Sequence, residues 1–163
     1  MASSTPNYGD RVASGVAAYL ASLDILDWDE RGEGTPYADA GGNLAEGIEW
    51  PTYIGPDMPA TPDQIIVITP TVQSYMRADI VTGIQIRIRG ARGALASVVA
   101  DKGQAIFDAL YPNGFPLVHV TMGTVRVGAV LPGDALPPLA RDGERRHGFI
   151  QNFRLRTRRP RPE

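Results

Sequence analysis

Residues 83–90 read GIQIRIRG, with an isoleucine at every second position and a polar or cationic side chain between them. Successive side chains of a strand leave from opposite faces, so Ile84, Ile86 and Ile88 share one face while Gln85, Arg87 and Arg89 share the other. The isoleucines need a core on one side only, which is the pattern of a sheet covered on a single face. The arginines need water, carboxylates or phosphates.

On either side of this strand the chain supplies material to cover the isoleucines. Val12, Val16, Tyr19, Leu20 and Leu23 recur at helical spacing and predict a helix from about Tyr8 to Leu23 or Leu26, with Thr5 before Pro6, or Asn7 before Asp10, as its start signal. Leu95, Val98, Val99, Lys102, Ile106, Ala109 and Leu110 predict a second helix that ends at Tyr111, before PNG. Prolines 51, 56, 59, 62 and 70 confine regular structure to short pieces around an apolar run at 64–69. Residues 73–89 read as one or two strands with Gly83 as a bulge, 116–122 and 124–131 as a hairpin around Gly123, and 148–156 as a last strand after a Pro-rich and charged loop at 132–148. The order lacks the regular alternation of a doubly wound fold. It predicts one α+β domain over residues 1–156, a largely antiparallel or mixed sheet with two helices on one face, followed by a polar tail at 157–163.

Composition limits the chemistry. There are 163 residues and no cysteine, which excludes a disulfide scaffold, thiolate metal sites and a cysteine nucleophile. No apolar run reaches membrane-spanning length and the N-terminus lacks the pattern of a secretory signal, so a soluble protein with no membrane association is expected. Asp27, Asp29 and Gly32 match the first, third and sixth positions of a calcium loop, but Arg31 and Ala38 stand at the fifth and twelfth, where ligands are required. His119 and His147 have no carboxylate or second histidine at ligand spacing. Neither a nucleotide-binding glycine pattern nor a G-x-S-x-G elbow occurs. The expectation is therefore a non-enzyme with no cofactor and no metal.

Charge is distributed unevenly. Residues 1–63 hold eleven acids against two arginines, net −9, and residues 64–163 hold seven acids against fourteen bases, net +7, which together give the net −2 of the chain. Such polarity is satisfied within one monomer, by head-to-tail self-association, or by partners of unlike charge. Residues 27–49 are acidic, glycine-rich and without periodicity, and are expected to be a long loop or an ordered arm. Fifteen of the sixteen bases are arginine, the cation favoured at interfaces, and Arg154, Arg156, Arg158, Arg159 and Arg161 lie close together near the end, where a solvated patch is the simplest account.

Three segments, YIGPDMPATPDQIIVI (53–68), AIFDALYPNG (105–114) and LPPLARDGERRHGFIQNFRL (136–155), resemble, in this order, the minor capsid or tail-terminator proteins of long-tailed, non-contractile bacteriophages. The resemblance spans about residues 12–155, and Pro59, Pro62, Asp63, Asp142, Arg145, Asn152 and Phe153 carry its pattern. It implies a virion protein, assembled in the host cytoplasm, that forms a homo-oligomeric, hexameric ring on the head-proximal end of the tail tube. Its partners would be the tail tube protein and the head connector or stopper, with DNA passing through the lumen without specific binding. The subunit or partner interface is expected on Arg77, Gln85, Arg87, Arg89, Asp142, Arg145 and Arg146. The rival readings are a head–tail adaptor or stopper, a nucleic-acid-binding accessory protein, and a hydrolase that relies on scattered carboxylates.

Overall fold

The computed structural model describes residues 7–29, 44–76, 78–135, 139 and 141–158. Two helices, α1 (Tyr8–Ser22) and α2 (Ala96–Leu110), accompany six strands: β1 (Thr52–Ile54), β2 (Ile65–Met76), β3 (Asp79–Arg89), β4 (Val118–Met122), β5 (Val125–Ala135) and β6 (Gly148–Arg158). The strands form one sheet in the order β1-β2-β3-β6-β5-β4. β1 runs parallel to β2 and every other pairing is antiparallel, so the protein is α+β with a mixed, largely antiparallel sheet. No helix among the described residues is long and apolar enough to cross a membrane.

The alternation of GIQIRIRG places Ile84, Ile86 and Ile88 in a single core with Ile66 and Ile68 of β2, Phe153 and Leu155 of β6, and the apolar stripes of both helices. α1 begins where Asn7 accepts a hydrogen bond from the Asp10 amide at 2.8 Å, which satisfies one of the free N–H groups of the first turn. Close approach fixes its position. A Cβ at Gly15 would lie 2.5 Å from the Met122 carbonyl oxygen, and Gly123, at φ 57°, turns the β4–β5 hairpin directly beneath the helix.

Four details differ from the sequence reading. Gly83 pairs regularly with Arg154; the register shift lies between Pro70 and Gln73, where proline has no N–H to donate to the ladder. Leu95 is 73% exposed, and Val98 is also exposed, because Leu95 precedes the first helical turn and the buried stripe runs through Val99, Gly103, Ile106 and Leu110. β5 continues to Ala135, into the segment read as loop. The polar tail begins later than 157: Thr157 belongs to β6, is 1% exposed and hydrogen-bonds the Tyr8 hydroxyl. Residues 159–163, and residues 30–43 of the acidic loop, lie outside the described residues.

Candidate functional site

The sheet face opposite the helices has two unlike ends. At one end Arg87 and Arg89 of β3 stand across from Val67 and Ile65 of β2, and strand partners share a face. Ile65 and Val67 are fully buried yet lie outside the main core, beneath the connection between β1 and β2. Arg89 holds that connection down. Its Nε donates to the Asp63 carbonyl at 2.9 Å, and its Nη2 donates to the Ala60 and Pro62 carbonyls at 3.1 and 2.7 Å. Arg87 donates from Nη2 to the Pro56 carbonyl at 2.7 Å and to Thr69 Oγ1 at 3.1 Å, while Thr69 Oγ1 donates to the Gly55 carbonyl at 2.6 Å. Gln85 Nε2 donates to Asn152 Oδ1 at 3.3 Å.

Arg87 and Arg89, expected to face a neighbouring subunit, are thus both bonded to their own chain within this subunit. Arg89 is 9% exposed and its planar fork is occupied by carbonyls of its own chain, a use that the five fixed guanidinium donors suit. Burial, and secondarily the charge of Arg146, pulls Arg89 below the usual guanidinium range; Asp63, Asp142 and Glu144 act in the opposite sense.

The same connection is tied to a second turn. Asp142 Oδ1 accepts the Glu144 and Arg146 amides, each at 2.9 Å, and Asp142 Oδ2 accepts from Arg146 Nε at 2.9 Å. Arg146 Nη1 reaches across to Asp63 Oδ1 and to the Ala60 carbonyl, both at 3.2 Å. Arg92 adds an exposed pair with Glu144 at 2.5 Å and approaches Asp63 at 3.8 Å. The Arg146 amide, together with its guanidinium and the Glu144 amide, holds the Asp142 carboxyl below the usual carboxylate range. Against the pull of its burial, Arg146 is raised by Asp142 and Asp63. Arg145 forms the corner of this turn at φ 60°, its carbonyl accepts the Gly93 amide at 3.0 Å, and its side chain is exposed. Thus Arg89, Arg146 and Asp142 come together, Arg87 and Gln85 lie on the same face, Arg145 projects from the turn, and Arg77 lies outside the described residues.

The other end of this face is open. Arg154, Arg156 and Arg158 alternate with buried Phe153, Leu155 and Thr157, so all three are exposed on the side away from the helices. The pairing of Val127 with Thr157 sets Arg126 of β5 beside Arg158. An open groove of about 430 Å³ adjoins the row, with Thr71, Ser74, Gly83, Asn152 and Arg154 in its walls. The sequence reading placed these arginines in a solvated patch near the end of the chain. The signal for a strand face was the alternation FRLRTR at 153–158.

The opposite edge of the sheet is acidic. Asp27 bridges to Pro51, just before β1, and its Oδ2 accepts the Glu49 and Trp50 amides at 2.9 and 2.8 Å. Lys102, the chain's single lysine, donates to the Ile25 carbonyl at 2.6 Å and lies 5.2 Å above the Trp50 ring. Burial lowers its pKa, against the opposing pull of Glu49 and Asp27. Asp24, Glu46 and Glu49 are exposed on the two segments, 24–27 and 46–51, that the Asp27 contacts join. With Asp27 committed to backbone amides, no group of three or more His, Asp or Glu side chains among the described residues is placed to hold a metal. No protein-family model matches this chain, and no curated protein matches it.

Proposed function

We propose that this chain is a structural virion subunit of the tail-terminator type, which closes into a ring on the tail tube and presents a docking face to the head connector. The observation that carries the reading is the junction of two of the three segments on which the resemblance rests. Asp63, from PATPD, and Asp142, from DGERR, are both bound by Arg146, so turns 79 residues apart in sequence form one rigid corner. A corner in which the charges are bonded to backbone groups and to one another suits a docking surface. The separation of an arginine row on the open face of β6 from the acidic β1 edge adds support, because a ring is built from a heterologous contact between unlike surfaces.

The test is to add the purified chain to polymerising tail-tube subunits of the same virion and measure tube length by negative-stain microscopy. Tubes of limited length with a ring at one end are expected. Tubes that lengthen as they do without the chain overturn the reading.

A further inference from the structure

The six-stranded sheet has one face packed under helices and a second face that is only half covered. The chain's own β1–β2 connection covers the end bearing Arg87 and Arg89. At the uncovered end, Arg154, Arg156 and Arg158 stand at successive outward positions of β6, about 6.8 Å apart, with Arg126 beside them on β5. The described acid within reach of the row is Asp79, whose Oδ2 is 4.0 Å from Arg156 Nε, and both side chains are substantially exposed. In a chain of net charge −2, such a row is a local excess of positive charge, met among the described residues by Asp79.

The complementary surface is present on the same molecule, at a place the row cannot reach. Asp24, Glu46 and Glu49 are exposed near β1, at the edge of the sheet, while β6 is separated from β1 by β2 and β3. A strand order that places β2 and β3 between these acids and the arginine row keeps the two apart within one subunit and leaves them available between two. We propose that the open arginine face of β6 and β5 docks on the acidic β1 flank of a second copy of this chain. The contact is heterologous, so it propagates from copy to copy rather than stopping at a dimer. This inference rests on the ring reading and names its interface. It replaces Arg87 and Arg89, which are spent on their own chain, with Arg126, Arg154, Arg156 and Arg158. A nucleic acid is the less favoured occupant, since the acidic chain as a whole does not attract a polyanion.

Charge exchange tests it. One variant carries Arg154→Glu, Arg156→Glu and Arg158→Glu; another carries Asp24→Lys, Glu46→Lys and Glu49→Lys. Mass is measured by light scattering after size exclusion over a range of concentrations, with circular dichroism as the folding control. The parent is expected to assemble, each variant alone to be at least tenfold weaker in assembly, and an equimolar mixture of the two to recover the parent mass, because each altered face then meets its complement. Should the glutamate variant fail to fold, the glutamine triple replaces it, with loss of the parent's salt dependence as the readout. If both variants assemble like the parent while the parent still limits tube length, the interface lies elsewhere and only this inference falls. A parent that is monomeric both in solution and on tubes overturns the ring reading as well. A parent that stays monomeric yet binds a DNA duplex through these arginines also overturns the inference and identifies a phosphate-contact face.

Discussion

The guanidinium of Arg89 donates to the carbonyl of Pro62 at 2.7 Å, across 27 residues of sequence, and this contact turns a strand that looked free on one face into the anchor of a loop. The charged group donates to three carbonyls, of which that of Pro62 is buried and that of Ala60 also accepts from Arg146. Removing it takes the guanidinium donors from the Pro62 and Asp63 carbonyls. Arg89→Ala is expected to lower unfolding free energy by about 3 kcal/mol, and Arg89→Lys by a large part of that, because an ammonium does not span the same acceptors. Urea denaturation checks this; a loss below about 1 kcal/mol would show that the connection is held by its prolines alone.

Close approach of α1 to the hairpin makes Gly15 intolerant of any side chain. Alanine there gains about 1 kcal/mol of helix propensity, but its Cβ would sit 2.5 Å from a backbone oxygen that cannot swing away. Overpacking costs about 1–3 kcal/mol, so a net loss is expected for Gly15→Ala and a larger one for Gly15→Val. Thermal unfolding of the two variants decides, and an alanine variant more stable than the parent contradicts the packing.

Thr157 closes the sheet against the start of α1 through its bond with Tyr8. Truncation after Arg156 is expected to lower Tm by about 2–6 °C, corresponding to about 1–2 kcal/mol for a chain of this size. Tyr8→Phe in the truncated chain should add little more, because the two changes remove the same bond. Additive losses would show that the hydroxyl and the strand end act separately.

Acid should loosen the corner between the 60–63 and 142–146 turns. The Asp142 carboxyl is held below its ordinary 3.8 by the Arg146 amide, the Arg146 guanidinium and the Glu144 amide. A depressed folded pKa contributes stability that is present above the unfolded pKa and is lost as pH falls through the folded value. The Tm of the parent should therefore fall on acidification below about pH 4, and Asp142→Asn should flatten that part of the profile. An unchanged acid limb in the asparagine variant would assign the loss to other carboxylates.

Much of this architecture was legible in residues 83–90. Strict alternation identified both the strand and its isoleucine face, and Asn7 with Asp10 marked the start of α1. The role of the arginines was not legible, because their acceptors are backbone carbonyls, which every residue possesses and no residue type announces. Thr157 was misread for a related reason: β-branched and half polar, it fills an apolar position of β6 while its hydroxyl reaches Tyr8, and only the alternation with Phe153 and Leu155 reveals it. Gly83 drew attention as a bulge, whereas the interruption came from Pro70, whose missing N–H is the stronger local constraint.

The place of β6 in the sheet also governs the order in which the fold is assembled during synthesis. Among the described strands β6 is the last in sequence, yet it lies between β3 and β5. Before residues 148–158 leave the ribosome, the earlier strands form two separate ribbons, β1-β2-β3 and β5-β4, each with an unpaired edge. Joining them closes contacts across most of the chain, the kind of pairing that folds slowly and leaves edges open to other molecules. The alternating arginines of β6 are therefore among the last groups of the sheet to take their places, so any surface they build is absent from the nascent chain.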